Sequence, residues 1–241
     1  MVDIHCHILP EVDDGARSWE MAVHMCHMAS RDGIEHMVAT PHANASYAYD
    51  REWLRTLIAE LNKRTGGKPK LSLGCDFHLS YENLESIAKT PHRYTIEETP
   101  YLLVEFSDFS IPPSLTGELE DMLHRGLRPI ITHPERNPLL QRKPEKVIEW
   151  AQFGCAVQVT ASSITGDWGD RAKKSAKWLF DHEAVHILAT DSHNIEHRPP
   201  ILSAARDLVK RNYGAGVAQA LTADNPGAVV NGQPLPYFPK V

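Results

Sequence analysis

The chain has 241 residues, 42% hydrophobic and 23% charged, with a formal net charge of −6 when His is neutral. That balance is ordinary for a folded soluble protein and argues against disorder, a membrane bundle or a general nucleic-acid-binding surface. Cys6, Cys26, Cys75 and Cys155 are widely spaced and form no CxxC pair, so reduced, buried thiols are expected rather than a zinc knuckle or a redox dithiol.

Apolar runs alternate with amphipathic stretches from one end to the other. A first strand is predicted near Val2–His5, followed by a helix over Ser18–Asp32 with Ser18 as N-cap and Gly33 as the stop. HMVAT, ending at Thr40, reads as strand two, and Asp50–Arg64 as helix two, closed by Gly66 and Gly67. KLSLG leads into strand three near Asp76; YLLVEF is strand four, with a helix near Leu115–Arg125 after it. LRPIIT is strand five, then a helix near Pro144–Phe153; CAVQVT is strand six, then a helix near Asp170–Asp181. VHILAT is strand seven, then a helix near Ile201–Asn212, and the tail after Asn225 is rich in Pro and Gly and lacks periodicity. Seven strands alternating with helices predict a parallel α/β sheet, most simply closed into a barrel, in one domain over residues 1–241. An open doubly wound sheet would need a glycine-rich phosphate loop after strand one, where HCHILPEVDDG stands instead. No apolar run approaches about 18 residues and the N-terminus carries no signal-like segment, so a cytoplasmic protein without a transmembrane segment is expected.

Chemistry-bearing residues recur at the predicted strand ends, where α/β barrels carry their sites. His5 and His7 lie two apart on a strand, and a period of two turns both imidazoles to one face. His42, Asp76, Glu105 and His133 then follow strands two to five, and Asp191 and His193 follow strand seven. Strand six offers only Gln158 and Thr160, and Asp14 lies on the long first loop within reach of the same mouth. Imidazole with carboxylate is the ligand set of zinc, manganese and iron hydrolases. Glu105 and Asp191 end apolar runs, where a carboxylate is costly to bury without a cation. Taken singly, each His is more often exposed or hydrogen-bonded, and His24, His27, His36, His92, His124, His182 and His186 are read that way. His78 and His197 are intermediate, and Asp13 reads as turn chemistry before Gly15. Arg136 in THPER and Arg198 in DSHNIEHR are candidate anion clamps, because guanidinium binds phosphate oxygens in bidentate fashion.

DIHCHILPEVDDG, ATPH, LLVEFS, THPER and ATDSHN followed by RPP resemble the polymerase-and-histidinol-phosphatase (PHP) superfamily. Within it they resemble the manganese-dependent bacterial protein-tyrosine phosphatases that act on capsular and exopolysaccharide tyrosine kinases. The resemblance runs from Met1 to about Val229. It implies a distorted, seven-stranded α/β barrel of PHP type with three divalent ions, manganese first and iron, cobalt or zinc as alternatives. It further implies one ion on His5, His7 and Asp191 with a bridging carboxylate, a second on that bridge with Glu105 and His133, and a third on Asp14, His42 and His193. Arg136 and Arg198 would bind phosphate. The family usually has Glu at the bridge; GCDFH puts Asp76 there, one methylene shorter, with His78 close by.

The implied reaction is metal-assisted phosphomonoester hydrolysis of a phosphotyrosine protein, such as the tail of a bacterial tyrosine kinase, releasing phosphate. No cysteine is followed six positions later by Arg, so thiol-based phosphatase chemistry is not expected. Two alternatives stay open at this point. One is another PHP phosphoesterase, either a histidinol-phosphate phosphatase or a phosphodiesterase. The other is a metal-binding regulator with weak turnover.

Overall fold

The computed structural model describes residues 1–239. Its strands are β1 (Val2–Cys6), β2 (His36–Ala39), β3 (His42–Ala43), β4 (Lys70–Leu73), β5 (Asp76–His78), β6 (Tyr101–Glu105), β7 (Arg128–Thr132), β8 (Ala156–Thr160) and β9 (Ile187–Ala189). Its helices are α1 (Trp19–Asp32), α2 (Arg51–Thr65), α3 (Tyr81–Lys89), α4 (Leu115–His124), α5 (Glu145–Gln152), α6 (Ala161–Thr165), α7 (Asp170–Asp181), α8 (Ser203–Tyr213), α9 (Ala215–Gln219) and α10 (Asn225–Val230). The local signals act as expected in the first half. Ser18 accepts from Met21 N, Asp50 accepts from Glu52 N and Trp53 N, and Gly33 ends α1 in the left-handed conformation at φ 87°.

All strand neighbours run parallel. One sheet has the order β1-β2-β4 and the other β3-β5-β6-β7-β8-β9. Nine segments stand where seven strands are expected, because two strands break as they reach the site. Thr40-Pro41 separates β2 from β3, and Pro41 has no N–H for a ladder. Gly74-Cys75 separates β4 from β5 beside it. The chain just past β9 pairs with β1 through Asp191 N to His5 O and His7 N to Ser192 O, both 2.8 Å. This short ladder closes the wall and sets the first strand's ligands beside the last strand's.

The barrel interior is layered. Ile4, Val38, Leu103, Ile130, Ile187 and Ala189 fill its amino end, while ionisable groups occupy the carboxyl end. Outward residues such as Met37, Leu71, Leu102, Ile131, Val157 and Leu188 pack under the helices. A strict period of two would send Ile4 and Cys6 the same way. Between Asp3 and Cys6, β1 spends three residues against two of β2, and this bulge puts Ile4 in the inner cluster and Cys6 in the outer one.

Helices α3, α6, α9 and α10 go beyond the sequence reading; each is short, with α3 capped by Ser80 Oγ accepting from Asn83 N and α10 held by four buried residues. The tail is more than an irregular end. Val229 on α10 plugs the inner cluster, Asn225 Nδ2 donates to His186 O (2.8 Å), and Tyr101 Oη donates to Gln233 O (2.7 Å). The barrel floor is therefore sealed by the last described segment. Among the described residues, no helix is long and apolar enough to cross a membrane.

Candidate metal centre

The nine sequence-predicted ligand candidates meet at the carboxyl end of the strands. Their donor atoms form four overlapping groups: His7, Asp14, His42 and His193; His5, His7 and Asp76; His5, His133 and Asp191; and His42, Asp76 and Glu105. The His5 and His7 Nε2 atoms are 3.4 Å apart, and Asp191 Oδ1 is 3.4 Å from each. Asp76 Oδ2 lies 3.6 Å from His5 Nε2 and 3.2 Å from His42 Nδ1. Asp14 Oδ1 lies 3.4 Å from both His42 Nε2 and His193 Nε2. Glu105 is 3.7 Å from His42 Nδ1 and 3.8 Å from His133 Nε2, and it stays partly exposed while Asp76 and Asp191 are buried.

These spacings are long for hydrogen bonds. They match the edges of a coordination shell, since donors at ~2.1 Å from a tetrahedral ion are ~3.4 Å apart. The test of fit is the state of Asp76: it is 1% exposed, and neither carboxylate oxygen has a hydrogen-bond donor, nor does His42 Nδ1 have a partner. A buried carboxylate left that way is costly unless a cation satisfies it. The donor set of five imidazoles and four carboxylates fits divalent transition ions. The grouping departs in detail from the ligand sets that the resemblance implies. His133 falls with His5 and Asp191, and His7 also joins the Asp14 group.

Several imidazoles are aimed by partners on their far nitrogen. His5 Nδ1 meets Gln158 Oε1 at 2.9 Å, His7 Nδ1 meets Asp13 Oδ2 at 2.7 Å, and His193 Nδ1 meets the Asp191 carbonyl at 3.0 Å. Each contact directs Nε2 into the cup, as second partners do around bound metals. Asp13 is therefore more than the turn residue expected. Its carboxylate also accepts from Gly15 N (3.0 Å) and His42 N (3.1 Å), tying the first loop to β3. Asp3 Oδ1 accepts from Thr190 N at 3.0 Å and so fixes the residue before Asp191. Asp191 and His133 sit at φ 50° and 34°, an uncommon conformation for non-glycine residues that the neighbouring strands hold in place.

Gly15 is packed with no space to spare. A Cβ there would lie 2.1 Å from the His7 carbonyl oxygen. Gly15→Ala is expected to push Asp13 and Asp14 away from His7 and His42 and to cut bound metal by about one ion per chain. Elemental analysis beside a thermal melt checks this; full metal content at an unchanged Tm would contradict it.

Protonation follows charge and burial. Burial pulls His7 down, but Asp13 outweighs it and holds the imidazole up at about 9. Burial likewise opposes His42, which Asp14 and Asp76 raise to about 11. Burial and the neighbouring His7 lower His193 to about 4. Asp76 and Asp191 stay well below the carboxylate range despite burial, Asp76 through His5 and His42, and Asp191 through Arg136, His5 and Arg198.

Both candidate clamps converge on one carboxylate oxygen. Arg136 Nη1 donates to Asp191 Oδ2, and Arg198 Nη2 donates to the same atom at 2.6 Å. Trp168, which the sequence reading passes over, lies 3.5 Å from Arg136 Cζ to the ring centroid and 5.1 Å from Arg198 Cζ. Its indole face is a cation–π partner that keeps the guanidiniums at the pocket mouth. Glu135 is fully buried and accepts from Thr160 N (3.0 Å) and Ser163 Oγ (2.7 Å), so the THPER segment also anchors α6 below Trp168. Of these supporting residues only Gln158 stands out in sequence, as the polar residue inside CAVQVT; a tryptophan in a loop carries no such mark. His78 meets Glu105 at 3.5 Å on the pocket wall, while His197 is exposed and stands outside the four groups. The pocket in front of the cup holds about 550 Å³ and is walled by Tyr47, His78, Phe109 and Trp168.

Comparison with known proteins identifies the relatives of this chain. The family model described as capsular polysaccharide synthesis, CpsB/CapC, matches residues 1–231. The chain is 28% identical to the tyrosine-protein phosphatase CpsB of Streptococcus pneumoniae, covering 97% of this chain and 99% of that protein. It is 31% identical to the tyrosine-protein phosphatase YwqE of Bacillus subtilis (strain 168), covering 92% and 89% respectively. Among solved structures, one described with YwqE from Bacillus subtilis and CpsB from Streptococcus pneumoniae as unique metal-dependent tyrosine phosphatases superposes with a TM-score of 0.91 at 29% identity, covering 100% of this chain and 97% of that one. The lactonase Lmo2620 from Listeria monocytogenes, at TM-score 0.59 and 13% identity, shares the fold alone.

Proposed function

Because the chain belongs to the CpsB/CapC family of capsular polysaccharide synthesis proteins, we propose that its metal cup and arginine pair hydrolyse phosphotyrosine in proteins. The protein is a metal-dependent tyrosine phosphatase, as its relatives are named. The observation that carries this reading is the convergence of Arg136 and Arg198 beside Asp191, against a cup of nine donor residues. One side of the pocket favours divalent cations and the other favours an oxyanion, and a phosphomonoester dianion satisfies both.

His5, His7, Asp14, His42, Asp76, Glu105, His133, Asp191 and His193 are the proposed ligands, with Asp76 as bridge. Asp76 belongs both to the group with His5 and His7 and to the group with His42 and Glu105, which supports a bridging role despite its shorter side chain. Three manganese ions are the proposed complement. When bound, such ions polarise phosphoryl oxygens and lower the pKa of water toward neutrality. Arg136 and Arg198 orient the phosphoryl group and neutralise charge that grows on its oxygens. Trp168 holds Arg136 in position, and Asp13 and Gln158 hold His7 and His5. The tyrosyl leaving group has a pKa of about 10, so it departs with less acid assistance than an alkoxide. The proposed substrate is the tail of a bacterial tyrosine kinase that controls polysaccharide synthesis, and the proposed location of the phosphatase is the cytoplasm.

A panel at fixed manganese tests the reading: a phosphotyrosine peptide, histidinol phosphate and a short single-stranded oligonucleotide. The peptide is expected to be hydrolysed best by at least about 100-fold, which is about 2.7 kcal/mol of selectivity. Preference for either of the others would overturn the assignment. Arg198→Ala is expected to keep full metal content while raising KM roughly tenfold, the loss of one charge-assisted contact. Unchanged kinetics would remove Arg198 from the site.

A further inference from the structure

The metal pocket does not end at its mouth. The segment after Glu105 and the segment after His133 run on together and enclose a second groove of about 530 Å³ between α4 and α5. Phe109 lines both spaces and is 94% exposed, an unusual state for a large apolar side chain. Asn137 binds the two segments into one wall: its Nδ2 donates to Ser107 O at 3.1 Å, and its Oδ1 accepts from Leu139 N and Leu140 N. The groove therefore stands on the same supports as Glu105, His133 and Arg136.

Its chemistry is unlike that of the chain as a whole. The formal net charge is −6, yet the groove has Arg142, Lys143 and Lys146 on its rim and no carboxylate in its lining. Lys146 pairs with Glu149 at 2.7 Å; Arg142 and Lys143 have no carboxylate partner among the described residues. Ile111, Pro112, Pro113 and Leu139 make an apolar wall over the buried Trp150. The two prolines have no N–H to satisfy, so this wall accepts an apolar side chain without leaving donors unpaired.

The geometry points to a docking groove for the peptide that flanks the phosphotyrosine, with acidic side chains on Arg142 and Lys143 and an apolar one on the Ile111–Pro113 wall. This rests on the phosphatase reading and adds a preference in sequence context. It follows from charge complementarity and from continuity with the metal pocket through Phe109. The metal cup binds the phosphate of any such peptide, and the groove selects among them.

The test uses the full chain loaded with manganese and three substrates: a phosphotyrosine peptide with Asp and Glu on both flanks, one of equal length with Lys at the same places, and free phosphotyrosine. KM for the acidic peptide is expected to be about tenfold below that for the basic one, or ~1.4 kcal/mol. In an R142E/K143E variant the preference for the acidic peptide is expected to be lost or reversed, while kcat/KM for free phosphotyrosine stays as in the wild type. Raising salt from about 0.05 to about 0.5 M is expected to shrink the difference as well, since exposed charges are screened. Equal wild-type KM values for the two peptides, or a preference for the acidic peptide that survives R142E/K143E, would overturn the groove assignment. Failure of the phosphatase reading has a separate signature, namely that none of the three substrates turns over. Fluorescence anisotropy of the labelled peptides then reads the groove directly: preferential binding of the acidic peptide that is lost in R142E/K143E supports it, and no preference overturns it.

Discussion

Asp191→Ala is expected to reduce turnover of a phosphotyrosine peptide by at least about 1000-fold and to lower bound metal by one ion or more. Asp191 is 2% exposed; one oxygen lies 3.4 Å from both His5 and His7, and the other accepts from Arg136 and Arg198. Removing it takes away a ligand candidate and the shared partner of both clamps at one stroke. It also strips two largely buried guanidiniums of the carboxylate they share, and breaking such a buried pair costs about 3–5 kcal/mol. Asp191→Asn keeps the shape and one acceptor but loses the charge, so it is expected to melt closer to the wild type while remaining metal-deficient. Elemental analysis, a thermal melt and kcat/KM on both variants separate the contributions. Full metal content in Asp191→Ala would show that this residue is no ligand.

Chelation is expected to inactivate the protein, lower its Tm and reveal an opposite dependence on pH in the two states. At a metal concentration about 1,000 times Kd, binding adds about 4 kcal/mol of stability, which is roughly 10 °C for a chain of this size. In the metal-free protein, His7 titrates near 9 and His42 near 11, above the ordinary imidazole value. A folded-state pKa raised in this way stabilises below the unfolded value of about 6.5, and the benefit is lost as pH rises through the folded values. The metal-free Tm should therefore fall between about pH 7 and pH 10. The lowered pKa values of Asp76 and Asp191 act at the other end: their contribution is present above the unfolded carboxylate range and lost on strong acidification. Metal ligation needs neutral imidazole, so metal affinity should rise over the same alkaline range. Calorimetric titration of manganese in two buffers of different ionisation enthalpy should show protons released near neutral pH, and addition of manganese or cobalt should restore activity. Uptake without proton release would mean that His7 and His42 are already neutral and that their carboxylate partners lie elsewhere.

These effects bear on what the cluster is for. His7 Nδ1 pairs with Asp13 at 2.7 Å, and His42 lies 3.4 Å from Asp14 and 3.2 Å from Asp76. His7, His42, Asp14 and Asp76 are therefore placed where a cation would compete with protons, while Asp13 holds His7 from behind. The apolar layer beneath, from Ile4 to Val229, and the larger apolar layer under the helices supply the buried core and leave the upper layer free to be ionisable.

The alternation of apolar runs with amphipathic stretches was enough to read a parallel α/β architecture from the chain, because buried parallel strands and their covering helices each have their own period. Nine donor residues were legible for a related reason: functional groups in such barrels follow the strands, and strand ends can be located from the apolar runs before them. What no local pattern could supply was everything that depends on neighbours distant in sequence. Pro41 and Gly74 break two strands where they lie side by side. Asp13 looks like a turn residue until the fold sets His7 and His42 against it. Trp168 sits in an unremarkable loop, and only α6, anchored by the buried Glu135, places it over Arg136. Val229 belongs to a tail without periodicity, and only the barrel floor gives it a role. Sequence by itself determined which residues could do chemistry and on which end of the strands they lie, since both follow from side-chain type and local period. Tertiary structure alone decided which of them gather into one group, which aim the others, and where the groove beside them runs, because those contacts join side chains that chain spacing leaves unrelated.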